Sequence, residues 1–193
     1  MFAFTGHAVL ALADEVSQSE LLGSVVDGYG GAHDPRLISA LAGVDGWIDS
    51  LDLVLAGQGS APVMQPGQAS PSDRRSAFQL VPRPDLWEHP RARYAAMIRT
   101  TPMVFGYADR SCTTVAIVSK GIAGLPELSF ELDPSQRGTG QGAALVRDAL
   151  RLVPAGELVI ASVAPGNAAS LRTLLGTGFV PLGSIQLFRK ATG

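Results

Sequence analysis

The C-terminal half of the chain alternates short apolar runs with turn-forming residues, a pattern typical of β-strands joined by tight connections. Three such runs occupy residues 103–107, 113–119 and 125–132, and the connectors 108–111 and 120–124 are short and turn-like. Connections this short join antiparallel neighbours, because a parallel pair needs a longer crossover. The pattern therefore predicts an antiparallel meander from about residue 102 onward.

Helical and strand patterns alternate after this meander. A glycine-rich turn at 137–142 precedes an amphipathic helix, which is followed by an apolar strand at 157–163. A short helix at 167–175 and a last strand or strand pair at 178–187 complete the chain. We therefore expect a mixed α/β fold, with a central, mostly antiparallel sheet flanked by helices.

The N-terminal region is less regular. Apolar residues predict a first strand at 4–12 and a helix that begins at Ser19. Asp34 followed by Pro35 is the pattern of a helix N-cap and first helical position, and Gly43 predicts the end of that helix. Its apolar face would consist of Leu37, Ile38, Leu41 and Ala42.

A strand is predicted at 47–55, and a short helix at 91–99 with Tyr94, Met97 and Ile98 facing inward. Residues 57–77, between these elements, carry Gly, Pro, Ser, Gln and Ala with few large apolar side chains. Such a segment buries too little apolar surface to offset the entropy lost on ordering. We therefore expect a mobile surface loop at 57–77.

Composition narrows the classes of function. The 193 residues are 46% hydrophobic and 17% charged, with a net charge of -2, so no basic footprint indicates a nucleic-acid partner. The apolar run near the start is interrupted by Asp14 and Glu15, and no run has the roughly 18 apolar residues of a membrane helix. We expect a cytoplasmic protein with no membrane partner, and the Gly-, Ala- and Pro-rich composition is typical of high-GC bacteria.

Metal and disulfide chemistry have little support in the sequence. Cys112 is the single cysteine, which excludes an intrachain disulfide and a zinc site built from cysteines. His7, His33 and His89 are far apart and adjoin no ligand pattern. No metal site is therefore expected.

The glycine-rich turn at 137–142 has the arrangement that binds phosphate. The first amides of a helix lack intrahelical partners, and glycines let the backbone approach an anion closely. Arg137 adds a full positive charge and several donors. No Lys-Ser or Lys-Thr follows the glycines, so the Walker pattern fails. Compared with the dinucleotide-binding fingerprint, this sequence has Ala143 at the position of the third glycine. The spacing leaves the alanine variant of that fingerprint open. However, the turn follows an antiparallel meander, which argues against a dinucleotide-binding site.

The motif resembles the signature Gln/Arg-x-x-Gly-x-Gly/Ala of the GNAT superfamily of N-acetyltransferases. Asn167 with Ser170, and then Gly178-Phe179, stand where that family has Asn-x-x-Ser/Ala and Gly-Phe. The order of strand, signature, helix, strand, short helix and strand is also similar. The resemblance covers residues 102–189.

This resemblance implies a co-substrate, acetyl-CoA or another acyl-CoA, and no metal. The family transfers the acyl group directly to a primary amine through a tetrahedral intermediate, so Cys112 need not be a nucleophile. The backbone of Phe130, Glu131 and Leu132 would pair with the pantetheine arm, and Asn167 and Ser170 would contact the coenzyme further along. The pyrophosphate would be held by Arg137, Gly138, Thr139, Gly140, Gln141, Gly142 and Ala143.

The catalytic groups are harder to assign. A general base is expected because the amine must be neutral to attack, and a carboxylate on the strand before the signature often serves in the family. Glu127 is the first choice and Glu131 the second; their spacing of four puts them on one face of a strand. The alternative is that both are ordinary exposed carboxylates. Leu174 occupies the position of the tyrosine that often protonates the leaving thiolate in the family.

Three hypotheses follow for a single domain spanning 1–193. In the first, residues 91–193 bind acyl-CoA, and the divergent residues 1–90 supply the pocket for a small-molecule or peptide amine. The second is a non-catalytic acyl-CoA-binding or regulatory module, which Leu174 supports. The third is an interaction protein without the ligand, which is disfavoured because no structural role demands all of the glycines. A homodimer is left open.

Overall fold

The computed structural model describes residues 1–12, 29–61 and 80–191, and all statements about the structure concern these residues. They form nine strands and four α-helices, and the mixed α/β prediction is confirmed. The helices are α1 (Pro35–Ala42), α2 (Pro90–Ile98), α3 (Gln141–Leu150) and α4 (Ala168–Gly176). The strands are β1 (Phe2–Phe4), β2 (His7–Val9), β3 (Trp47–Gln58), β4 (Val81–Pro82), β5 (Thr100–Gly106), β6 (Val115–Lys120), β7 (Pro126–Glu131), β8 (Leu158–Val163) and β9 (Val180–Arg189).

The strands form one sheet in the order β2-β1-β9-β3-β8-β7-β6-β5-β4. The pairs β1–β2, β1–β9, β4–β5, β5–β6 and β6–β7 are antiparallel, whereas β7 and β8 run parallel. The chain divides into two compact units, one of residues 1–54, 162–167 and 181–193, the other of 55–161 and 168–180. The expected division of roles at residue 90 stays a prediction.

In the first unit, α1 forms as its caps predict. The Asp34 side chain accepts a hydrogen bond from the Arg36 backbone N–H at 2.9 Å, Pro35 is the first helical residue, and Gly43 ends the helix with φ of 75°. The predicted apolar face is buried: Leu37, Ile38, Leu41 and Ala42.

The prediction of one strand at 4–12 is wrong. Phe4 pairs with His7, so β1 and β2 form a hairpin whose turn is Thr5-Gly6, and Gly6 has φ of 75°. A two-residue turn of this kind favours glycine at a position with positive φ. The helix predicted from Ser19 and residues 62–77 of the predicted loop lie outside the described residues, while β3 continues to Gln58.

In the second unit, the predicted meander is confirmed as β5, β6 and β7. The five buried residues of β6 from Val115 to Ser119 show that both faces of this strand are covered. On one face, α2 packs through Ala92 and Ala95 against Val104, Val115 and Ile117. Helix α3 also packs against β6 and β7.

The predicted inward face of α2 is wrong in part. Met97 is 47% exposed, and the buried positions of the helix are Ala92 and Ala95. Small side chains at these positions let the helix approach the sheet closely, whereas a methionine would hold it away.

Candidate functional site

The segment between β7 and the glycine turn is fixed by Asp133. Its carboxylate accepts hydrogen bonds from the backbone N–H and hydroxyl of Ser135, at 3.0 and 2.7 Å, and from the Thr113 hydroxyl at 2.6 Å. The bonds from Ser135 and Thr113 hold the pKa of this carboxyl well below its usual range. Sequence reasoning missed Asp133, although Asp-Pro-Ser is the pattern of a side chain that bonds the backbone two residues on.

The Thr114 hydroxyl adds a second connection to this segment. It accepts a hydrogen bond from the Asp133 backbone N–H at 2.9 Å and donates to Gln136 Oε1 at 2.6 Å. Thr114 is fully buried beside β6. The residues that lead into the glycine turn are therefore anchored to the meander.

The glycine turn contains two residues in the left-handed region of backbone conformation. Gly138 and Gly140 have φ of 77° and 83°, and Gly140 is the N-cap of α3 in the left-handed region. A Cβ at either glycine would meet no atom of the described residues within 4 Å, apart from its chain neighbours. Gly140 gives the first amides of α3 no side-chain cap, and the Ala143 N–H, which was predicted to bind the pyrophosphate, donates to the Gly140 carbonyl at 3.2 Å.

These glycines do have structural roles, so the argument that used them against an interaction protein is wrong. The positive φ values of Gly138 and Gly140 disfavour other residues whatever the ligand. A Cβ at Gly142 would lie 3.2 Å from Thr173 Oγ1, so this glycine lets α4 pack against the start of α3. The glycines alone therefore do not indicate a ligand.

Arg137 is tied to the end of β7. Its Nη2 lies 3.2 Å from Glu131 Oε1, and its Nε donates to the Leu132 carbonyl at 3.4 Å. Arg91 Nε lies 3.6 Å from Glu131 Oε2. Glu131 therefore stands between two guanidinium groups, and all three side chains are partly accessible to solvent.

Glu127 has a different environment from Glu131. Its side chain is 5% exposed and forms an ion pair with Arg99, whose side chain is 6% exposed. The interpretation of Glu127 as an ordinary exposed carboxylate is therefore wrong. Both carboxylates face α2, as their spacing predicts, because Glu127 contacts Arg99 at the end of α2 and Glu131 contacts Arg91 within it.

The outer end of β7 is open toward its parallel neighbour. Within the described residues, the register between β7 and β8 consists of Glu127 opposite Ile160. Strand β7 continues to Glu131 beyond this position. The backbone groups of the later residues on that edge are therefore available to an extended ligand, which is where Phe130 and Leu132 were predicted to pair with pantetheine.

The remaining predicted residues lie at and within α4. Asn167 is exposed immediately before the helix, where its backbone N–H donates to the Ala164 carbonyl at 2.8 Å, and Ser170 is half-buried in the first turns. Leu174 is 1% exposed, so a core side chain fills the position of the usual tyrosine. The coenzyme contacts of Asn167 and Ser170 stay predictions.

The described ranges contain neither a metal cluster nor a membrane helix. No group of three or more His, Cys, Asp or Glu side chains there is arranged to hold a metal ion. No helix in the described portion of the chain is long and apolar enough to cross a membrane.

Comparisons with known proteins add a distant structural likeness. No family model matches the chain, and no curated protein matches it. Among solved structures, it is similar to a candidate acetyltransferase from the GNAT family of Novosphingobium aromaticivorans, with 19% identity and a TM-score of 0.43. The match covers 76% of this chain and 68% of that one. A likeness this distant does not bear on activity, so the function rests on the geometry of the site.

Proposed function

We propose that this protein binds acyl-CoA and transfers its acyl group to a primary amine. The observation that carries the proposal is the left-handed turn at Gly138–Gly140, which opens onto the N-terminus of α3 directly after β7. Helix amides and a nest of turn amides are a favourable site for a phosphate group. An unpaired strand edge beside that site suits a ligand that has both a phosphate end and an extended arm.

In this proposal the two ends of the coenzyme occupy neighbouring elements. The amides from Gly138 to Gly142 bind the pyrophosphate, and Arg137 turns from Glu131 toward the added negative charge. The backbone of Phe130 to Leu132 hydrogen-bonds the pantetheine arm, which directs the thioester toward the start of β7. Glu127, at that end of the strand, then lies closest to the reacting groups.

The reaction forms a carbon–nitrogen bond and breaks the carbon–sulfur bond of the thioester. The amine loses a proton, which Glu127 accepts through a water molecule because its side chain is almost fully buried. The coenzyme leaves as a thiolate and takes a proton from solvent, since Leu174 supplies none. Glu131 is the second candidate for the base.

A non-catalytic acyl-CoA-binding module is the second candidate function. The buried Leu174 favours it, because the helix that carries the usual acid presents only an apolar side chain at that position. The same turn at Gly138–Gly140 would bind the ligand in both cases.

One pair of measurements separates the candidates. Thermal stabilisation and calorimetry with acetyl-CoA test binding, and release of free thiol in the presence of a primary-amine panel tests transfer. Binding with amine-dependent thiol release supports the transferase, whereas binding alone supports the module. If neither acetyl-CoA nor coenzyme A binds, both proposals are wrong.

A further inference from the structure

Arg99 and Glu127 form an ion pair in the interior of the second unit. Arg99 follows the last residue of α2, and Glu127 lies near the start of β7. Arg99 Nη2 contacts Glu127 Oε1, and both side chains are more than nine-tenths buried. A buried carboxylate without such a partner would be protonated instead of ionised, because desolvation disfavours the charged form.

The pair is held in place from several sides. Arg99 Nη1 donates to the Ser129 hydroxyl at 2.5 Å, and the Ser119 hydroxyl donates to the Glu127 carbonyl at 3.4 Å. Gly121 packs so closely that a Cβ there would lie 2.8 Å from Glu127 Cβ and would overlap its Oε2. The carboxylate therefore has one available orientation.

Other ionisable groups of the described residues also act on the pair. Tyr94 and Arg91 act electrostatically on Arg99 from the same helix, and Glu131, two positions beyond Ser129, is itself held by Arg91 and Arg137. Burial is the largest influence on Arg99 and lowers its pKa, while the Glu127 carboxylate acts in the opposite direction. A guanidinium stays protonated in proteins despite such burial.

We propose that Arg99 is a positioning residue that holds Glu127 ionised and in one orientation, so that Glu127 accepts the proton of the amine at neutral pH. The role of Glu127 rests on the function proposed above. Protonation of Glu127 leaves Arg99 as an unpaired buried cation, so the proton passes on to solvent and the carboxylate is restored. Removing Arg99 is therefore expected to make Glu127 easier to protonate, because the buried carboxylate loses the cation of its ion pair.

The charge state of Glu127 is measured in the ligand-free protein. Glutamate is labelled with carbon-13 at the carboxyl group, the Glu127 signal is assigned with Glu127→Gln, and its shift is followed from about pH 8 to about pH 5. We expect no titration in the unmodified protein. In Arg99→Met we expect the Glu127 signal to titrate within this range, and in Arg99→Lys we expect it again not to titrate there.

Arg93→Met is the matched control, because Arg93 lies on α2 but pairs with the exposed Glu88 instead of Glu127. It should leave the Glu127 signal unchanged. A Glu127 signal that titrates near neutral pH in the unmodified protein, or one that does not titrate between about pH 8 and about pH 5 in Arg99→Met, overturns the proposal. The first of these outcomes needs no variant, so the test holds even where Arg99→Met does not fold.

Kinetics then test the consequence for transfer. With an acceptor whose amine stays neutral across the whole pH range, the acidic limb of the pH–rate profile should move to higher pH in Arg99→Met and return in Arg99→Lys. A uniform rate loss with an unmoved limb would show a structural role only and overturn the proposal. If no amine is acetylated, the proposed transferase fails, while the carboxyl titration still decides whether Arg99 keeps Glu127 ionised.

Discussion

Gly140 offers the most direct test of a phosphate site at the start of α3. The residue is the N-cap of the helix, and a side chain there would project into space that no described residue occupies within 4 Å, its chain neighbours apart. Its φ of 83° costs most residues about 1 to 2 kcal/mol, but Asn and Asp tolerate this region. Gly140→Asp and Gly140→Asn therefore form a pair that differs in one negative charge and hardly in shape.

The expected difference follows from Coulomb's law. The introduced carboxylate and a bound phosphate would repel each other. Two unit charges about 4 Å apart interact with about 1 kcal/mol in bulk water and about 4 kcal/mol near a protein surface. The turn at Gly140 is open to solvent on one side and backed by α3 on the other, so a value between these limits applies. Since about 1.4 kcal/mol is a factor of ten, Gly140→Asp should bind coenzyme A about tenfold or more weakly than Gly140→Asn.

Isothermal titration calorimetry with coenzyme A at low and high salt provides the assay. The difference in coenzyme A affinity between the two variants should become smaller as salt is added, because salt screens exposed charges. Gly140→Asp should nevertheless be the more stable of the two variants, because a carboxylate at the N-terminus of α3 stabilises the helix by about 0.5 kcal/mol. Equal affinities of the two variants for coenzyme A would refute a phosphate at this turn.

Three further predictions concern stability. Arg83→Met should lower the free energy of unfolding by about 3 kcal/mol in urea titrations, because this 3%-exposed guanidinium bonds several loop carbonyls. Gly121→Ala should cost about 2 kcal/mol through overlap with Glu127, whereas Gly166→Ala, where a Cβ meets no described atom, should stay within about 0.5 kcal/mol. Burial lowers the pKa of His33, so unfolded chains bind its proton more readily, and stability should fall as pH drops below 6.5; His33→Gln should remove this dependence. A pH dependence unchanged in His33→Gln would contradict this assignment.

The sequence predicts those features of the fold that local chemistry determines. Helix α1 begins and ends where Asp34 and Gly43 place it, because caps act over a few residues. The meander follows from its short connectors. The predicted inward face of α2 is wrong at Met97, since tertiary packing selects small alanines at the contact with the sheet, and helical spacing does not reveal that choice.

Of the candidate site, too, one part can be predicted from the sequence and another cannot. The turn before α3 can be predicted from the sequence, because the glycines and the start of the helix lie within one short segment. The ion pair between Glu127 and Arg99 cannot be predicted from the sequence, because the two residues are far apart along the chain. Arg99 follows α2 and also contacts Ser129 of β7, 30 residues away in sequence. A strand glutamate has the same sequence pattern whether it is solvated or paired, so the burial of Glu127 appears only in the tertiary structure.

Leu174 bears on whether the site is catalytic. Its side chain is buried, and its carbonyl accepts the backbone N–H of Phe179, so a tyrosine at this position would have to enter closed packing. The leaving group must then depart without a proton from α4. An alkyl thiol has a pKa of about 8.5, so expelling the thiolate at neutral pH costs only about 2 kcal/mol, or about 30-fold in rate. In the proposed transferase, the absence of a tyrosine would therefore slow transfer without preventing it. The rate should fall below that of an acid-assisted enzyme mainly at pH values below the pKa of the thiol.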